Sequence, residues 1–222
     1  MKEFYHRQIE LWGEETQNSL KDKTVAIIGC GGLGCSLGLF LGSSGIGKFI
    51  LVDFDKVELH NIHRQLAFDK NSIDRYKCEA LKERLEQRSI DTKFITITSS
   101  FCDFIKEDLK VDLIIDATDN LATRSQIDNY AKEKNIPWLY GSVEEWNGQV
   151  CLFEKSDFSS FKINNNPPKG ITPPIVAHIA SLQATLALRY LANQSLKKDT
   201  LYYLYFDSDG ELITQKFKMP HG

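Results

Sequence analysis

Gly29, Gly31, Gly32 and Gly34, in the stretch GCGGLG, follow a β-branched run and precede an apolar segment of small residues. A turn of this kind can carry a phosphate. Gly29 lets the chain turn sharply off a strand, Gly31 lets the backbone approach a phosphate, and Gly34 lets the following helix pack tightly on the sheet. The start of that helix offers free N–H groups and a positive dipole end to an anion. Asp53 ends a second apolar run about 19 residues beyond the last glycine, where an acid can accept from ribose hydroxyls. A glycine-rich turn that binds nothing is the plain alternative. The strand before it, the helix after it and the spacing of the acid favour a nucleotide, without saying which one.

Two further groups narrow the chemistry. Asn61, Arg64 and Gln65 recur at helical spacing, and Lys77 opens an amphipathic helix. A cation there opposes the helix dipole, and local conflicts of this kind concentrate at functional sites. Asp119 follows the fourth apolar strand. A dinucleotide dehydrogenase needs the glycine turn and the ribose acid, but little positive charge over a triphosphate. Arginine and lysine can neutralise β- and γ-phosphates, and a carboxylate can hold the Mg²⁺ that bridges them. Each residue alone reads as a surface charge; together they suggest ATP with Mg²⁺ and attack at phosphorus. Arg7, in YHRQI, reads by itself as a solvated arginine on a helical arm. His60 and His63 form no metal site, because no cysteine or well-placed carboxylate completes the set.

These groups need an α/β frame. The pattern predicts short helices over 3–11 and 14–21, a strand over 24–28, a helix over 33–44 and a strand over 49–52. A helix over 77–88 follows, with Cys78, Leu81 and Leu85 on one face. Next come a strand over 93–98, a short helix over 101–109, a buried strand over 111–115, a helix over 121–134 and a strand over 136–140. Beyond Gly141 the pattern changes, to a strand over 148–154 and a long loop over 156–174 rich in Asn, Pro and Ser. Thr172 caps a helix over 175–193 that is apolar nearly all round, which predicts burial of the helix and of His178 within it. A hairpin, 201–206 and 212–217 about Asp209-Gly210, closes the chain. The expected architecture is a Rossmann-like, mostly parallel sheet flanked by helices, with a C-terminal antiparallel extension. No repeat or linker divides it, so residues 1–222 read as one domain, with an N-terminal helical arm over 1–22.

Bulk properties agree. The 222 residues suit one α/β domain, with 42% hydrophobic and 26% charged residues. A net charge of −3 gives no broad basic face for nucleic acid. No apolar run is long enough to span a membrane, and MKEFYHRQIE is no secretory signal, so a cytoplasmic location is expected. The five cysteines, Cys30, Cys35, Cys78, Cys102 and Cys151, form no CxxC pair. They read as mostly buried, reduced thiols, with neither a disulfide framework nor a structural zinc.

The motifs YHRQIELWG at 5–13, GCGGLG at 29–34, LVDFD at 51–55, NIHRQ at 61–65, Lys77, ATDN at 117–120 with Arg124, and SLQA at 181–184 run through nearly the whole chain. In them the sequence resembles the ThiF/MoeB/HesA family, small relatives of ubiquitin-activating enzymes. The resemblance implies an adenylyltransferase that binds ATP with Mg²⁺ and the C-terminal Gly-Gly tail of a small ubiquitin-fold sulfur-carrier protein, as in thiamine or molybdopterin biosynthesis. It further implies that the glycine turn, Asp53, Asp55 and Asn120 hold the nucleotide. Asn61, Arg64, Gln65 and Lys77 would hold the phosphates, and Asp119 would organise Mg²⁺. Arg7 would reach the γ-phosphate of the other subunit of a homodimer.

Two departures stand out. Many relatives carry paired CxxC zinc motifs, and many carry a cysteine just before the last helix. This chain has no CxxC and no cysteine after Cys151. The sequence therefore supports adenylation, with sulfur delivered by an external donor, and does not support thioester or acyl-disulfide chemistry on the 156–174 loop. The alternatives are a relative acting on another acyl substrate, such as a tRNA threonylcarbamoyladenosine dehydratase-like enzyme, a scaffold subunit without ATP chemistry, and an NAD(P) oxidoreductase.

Overall fold

Apolar, β-branched Thr24–Ile28 forms the central strand β1, buried along four of its five positions. It pairs in parallel with β2 (Lys48–Val52) on one side and β4 (Leu113–Asp116) on the other. The structure, a computed structural model, describes residues 2–160 and 170–220. Residues 161–169 of the expected 156–174 loop lie outside the described residues.

β3 (Lys93–Ile97) extends the sheet beyond β2, and β5 (Trp138–Glu144) extends it beyond β4, both in parallel. From β5 onward the pairing turns antiparallel, through β6 (Asn147–Phe153), β7 (Thr200–Phe206) and β8 (Leu212–Lys218). The full order is β3-β2-β1-β4-β5-β6-β7-β8. This is the expected mostly parallel sheet with an antiparallel extension.

Alternate residues of each strand feed two cores. Val25, Ile27, Leu51 and Ile115 point to a core shared with α2 (Gly32–Leu41), α3 (Lys77–Glu86) and α6 (Pro173–Leu191). Ala26, Ile50, Ile114 and Trp138 point to the other, shared with α4 (Phe101–Phe104) and α5 (Leu121–Lys134). Helices therefore cover both faces. At α2 and α6 the packing is close: a Cβ on Gly32 would lie 3.0 Å from Val176 Cγ1.

The N-terminal arm, α1 (His6–Ser19), is two short helices joined at a kink, with Gly13 between them in a non-helical conformation at φ 85°, as the sequence reading expects. Buried Gln17 pins it, donating to Ser44 O at 3.0 Å and accepting from Gln8 and Trp12 at 3.1 Å each.

Elsewhere the differences from the sequence reading are local. β5 runs on to Glu144, because residues 141–144 pair with β6 across a turn at Glu145, whose φ is 51°. The helix expected over 101–109 is one α turn followed by a 3-10 turn, Ile105–Glu107. Helix α6 is not buried all round: His178, Ser181, Thr185 and Arg189 form an exposed stripe at helical spacing, so His178 is a surface residue. Thr172 holds the N-cap position but caps nothing with its side chain. Pro174, two positions on, has no N–H to donate. Of the five cysteines, Cys102 is exposed on α4, and the other four are buried.

Candidate functional site

The carboxyl ends of β1, β2 and β4 meet at the glycine turn. Gly29 has φ 93°, and a Cβ there would lie 2.7 Å from the carbonyl oxygen of Ala117, just past β4. A Cβ on Gly34 would lie 2.0 Å from Gly29 O, so helix and turn touch backbone to backbone. Asp53, past the tip of β2, braces this turn from the side. Its Oδ2 accepts from Cys30 N at 2.6 Å and its Oδ1 from Asp55 N at 2.7 Å. Burial pushes the Asp53 carboxyl up, against the pull of those two donors and of Lys77.

Lys77, the first residue of α3, is 8% exposed, and its amine pairs with Asp55 Oδ2 at 2.7 Å. The conflict with the helix dipole is thus offset by a carboxylate three residues past the end of β2. Gln65 is buried with its amide against the turn, so that a Cβ on Gly31 would lie 3.6 Å from Gln65 Nε2. Gln65 Oε1 is buried without a hydrogen-bond partner among the described residues, a position a bound polar group would satisfy. The Arg64 guanidinium is half-exposed, and its Nη1 lies 2.9 Å from His60 O and 3.0 Å from His63 Nε2. Asn61 is engaged in its own turn, with Oδ1 accepting from Glu58 N at 2.9 Å and Nδ2 lying 3.1 Å from His60 Nε2.

Past β4, Asp119 is exposed and its carboxylate takes no hydrogen bond from a described residue. Asn120 is the N-cap of α5, its Oδ1 accepting from Thr123 N at 2.8 Å. Beneath them lies a network that sequence reasoning did not assign. Asp116, fully buried, pairs with Arg124 Nε at 3.1 Å and accepts from Thr118 N at 2.9 Å and Thr118 Oγ1 at 2.6 Å. Arg124 Nη2 donates to Thr118 O at 2.7 Å and Gly141 O at 3.3 Å. Gln183 of α6 donates to Asp116 O at 2.9 Å. The available signal was Arg124 eight residues after an acid at a strand end. Nothing in the sequence said that this acid faces inward.

Arg7 stands apart from all of this. Its side chain is 88% exposed and, among the described residues, pairs only with Glu10 of its own helix, at 3.0 Å. The buried thiols are held in the protonated, weakly nucleophilic form. Burial drives Cys30, Cys35 and Cys151 well above the ordinary thiol value and raises Cys78 to about 12.

The turn therefore brings together the uncapped N-terminus of α2, a buried amine and a buried amide, with the Arg64 backbone against Gly32 and its guanidinium half-exposed, groups suited to a phosphate chain. Among the described residues no three His, Cys, Asp or Glu side chains converge as a metal cage. A lone exposed carboxylate such as Asp119 fits Mg²⁺ all the same, since that ion takes one or two carboxylates and completes its shell with phosphate oxygens and water.

Comparison with known proteins finds relatives along nearly the whole chain. The sequence model of the ThiF family matches residues 5–221. The chain is 31% identical over 231 residues to the adenylyltransferase and sulfurtransferase MOCS3 of Caenorhabditis briggsae, covering 96% of this chain and 57% of that protein. It is 31% identical over 202 residues to the sulfur carrier protein ThiS adenylyltransferase of Escherichia coli K12, covering 85% of this chain and 80% of the relative. The molybdopterin-synthase adenylyltransferase of the same organism is also 31% identical over 202 residues, covering 85% and 81%. The chain thus spans little more than half the length of the MOCS3 relative and most of the two bacterial ones. In fold it matches Escherichia coli MccB crystallised with ATP, at a TM-score of 0.87 and 21% identity over 99% of this chain and 72% of that one.

Proposed function

The chain belongs to the ThiF family, and from that premise we propose that it is an ATP-dependent adenylyltransferase. Its substrate would be the C-terminal Gly-Gly carboxylate of a small ubiquitin-fold sulfur-carrier protein. Residues 1–222 would act as one adenylation domain in the cytoplasm, with the arm over 1–22 and the loop over 156–174 as its appendages. The observation that carries this reading is buried Lys77 beside the glycine turn, with Arg64 and Gln65 close by.

The triphosphate would lie along the N-terminus of α2, with the Gly31 and Gly32 backbone against it. Asp53 keeps that turn in shape, and its remaining lone pairs face the ribose. Asp55 positions the Lys77 amine. Lys77, Arg64, Gln65 and Asn61 offset the charge of the phosphates, with Asn120 at the start of α5 closing the nucleotide side. Asp119 would hold Mg²⁺, which supplies further charge neutralisation on the phosphate oxygens.

A carrier carboxylate oxygen then attacks the α-phosphorus. The bond from that phosphorus to the α–β bridging oxygen breaks, and pyrophosphate leaves with the electron pair. The products are the acyl-adenylate and pyrophosphate. No side chain need act as base, because the carboxylate is ionised at neutral pH. Catalysis is then positioning and charge neutralisation by groups already fixed in the fold.

Arg7 enters this scheme only from a second copy. Gln17 and Gln8 fasten the arm to the Ser44 carbonyl of its own chain, and Arg7 points to solvent. That supports a homodimer in which each arm reaches the partner's γ-phosphate. An external sulfur donor would attack the acyl-adenylate. The test is pyrophosphate exchange with purified Gly-Gly carriers. Incorporation of label into ATP that depends on one carrier is expected; exchange with none of them would refute the reading.

A further inference from the structure

We propose that Arg124 is a positioning residue for Asp119, and that its contacts set how tightly Mg²⁺ is held with ATP. This rests on the assignment of Asp119 above and extends it to a residue that touches no ligand. Arg124 is 6% exposed, and its guanidinium lies 5.1 Å from the face of the Tyr140 ring. Nε is committed to Asp116, and Nη2 to the carbonyls of Thr118 and Gly141.

Those contacts join four elements at one point. Asp116 ends β4, Thr118 is the residue before Asp119, Gly141 belongs to β5, and Arg124 itself sits on the first turns of α5. Thr118 is held from both sides: its N–H and hydroxyl donate to Asp116 Oδ1, and its carbonyl accepts from Arg124. With both peptide groups of Thr118 fixed, the direction in which Asp119 leaves the backbone is fixed too. Gln183 locks the Asp116 carbonyl from α6, so the strand end cannot turn to relieve a lost bond. A buried ion pair of this kind adds little net stability over apolar packing of equal volume, because desolvation offsets its attraction. What apolar packing could not do is hold the Thr118 carbonyl and the Asp116 carboxylate at a fixed separation. Lysine keeps the charge but cannot span three acceptors, since it lacks the planar fork.

The experiment is calorimetric titration of ATP, without any carrier, into the wild type, Asp119→Ala and Arg124→Lys over a series of Mg²⁺ concentrations. Arg124→Lys and Asp119→Ala should each raise the Mg²⁺ concentration for half-maximal tightening of ATP by about tenfold or more. Affinity for ATP without Mg²⁺ should change far less. In the ligand-free protein, hydrogen exchange at the Thr118 amide should quicken in Arg124→Lys. A folded Arg124→Lys protein with wild-type Mg²⁺ dependence would overturn the proposal. If Asp119→Ala itself leaves the Mg²⁺ dependence unchanged, the assignment of Asp119 fails and this inference fails with it. Should Arg124→Lys not fold, Thr118→Val decides: it removes only the hydroxyl donor at nearly constant shape and should shift the same Mg²⁺ midpoint in the same direction, by less. No shift in that variant would refute the positioning role.

Discussion

Asp199 and Ser156 are joined twice: Asp199 Oδ1 accepts from the Ser156 backbone N–H at 3.1 Å and from its hydroxyl at 2.7 Å. The same carboxylate takes the N–H groups of Glu154 at 2.9 Å and Lys155 at 3.1 Å. Asp199 thus ties the chain leaving β6 to the residue just before β7. Burial raises the Asp199 carboxyl, but the donors from Glu154, Ser156 and Lys155 outweigh it and hold the group below the usual carboxylate range. A depressed folded value means stability that is present above the unfolded value, near pH 4, and is lost as pH falls through the folded one. Asp199→Asn should therefore cost about 2–3 kcal/mol at pH 7, by loss of charge-assisted bonds. The cost should shrink steadily below about pH 4. Urea unfolding of both proteins from pH 7 to pH 2.5 checks this; a pH-independent difference would rule out the charge as its source.

Asp119→Ala should remove adenylate formation and leave the fold intact. The side chain is exposed and outside both cores, so melting should barely change. Loss of a carboxylate that holds the metal should lower pyrophosphate exchange by at least about a hundredfold. Exchange near the wild-type rate in a well-folded variant would remove Asp119 from the site.

Arg7→Ala and Lys77→Ala chains should each be inactive alone and partly active when mixed. In a mixed dimer one site has an intact Lys77 and receives an intact Arg7 from the other chain. The measurement is exchange activity after co-refolding, with heterodimers counted by native mass spectrometry. Heterodimers without activity would mean that the sites are not shared.

Alkylation with iodoacetamide in the native state should label Cys102 alone, since the other four thiols are buried and the chain holds five in all. All five should react in denaturant. For the same reason, incubation with ATP, carrier and a sulfur donor should give an adenylated carrier and no reducible carrier adduct on Cys30, Cys35, Cys78 or Cys151, and exposed Cys102, away from the glycine turn on α4, should give none either. Non-reducing mass spectrometry reads both, and a disulfide-linked adduct on any cysteine would show that a thiol takes part.

Much of this fold was legible because its signals are local. The run Thr24–Ile28, the glycines after it and the acid at Asp53 mark strand, turn, helix and strand without reference to anything distant. The turn at Gly210, where φ is 80°, was equally plain. What escaped was set by neighbours far along the chain. Residues 141–144 become strand only because β6 returns beside them, whereas the outward stripe of α6, His178, Ser181, Thr185 and Arg189, is polar at helical spacing and was open to reading from the helix itself. The site divides in the same way. Lys77, Gln65 and Asp53 could be chosen from their types and spacing, and the fold brings them to one turn. That Asp116 turns inward to Arg124 could not be read, because an acid at a strand end looks alike whether it meets solvent or a guanidinium eight residues on.

The contact of α2 with α6 bears on how the protein is made. Helix α2 and its glycine turn leave the ribosome early, whereas their partner α6 emerges only after the whole stretch between Gly42 and Thr172 has been synthesised. Until then the side of α2 that meets α6, and the faces of β5 and β6 beneath α6, lack their cover. A nascent chain with such a surface is exposed to aggregation, and domains with late-arriving core elements lean on chaperones during synthesis. The glycine-turn end of the sheet, translated before α6, is thus among the last parts to become native.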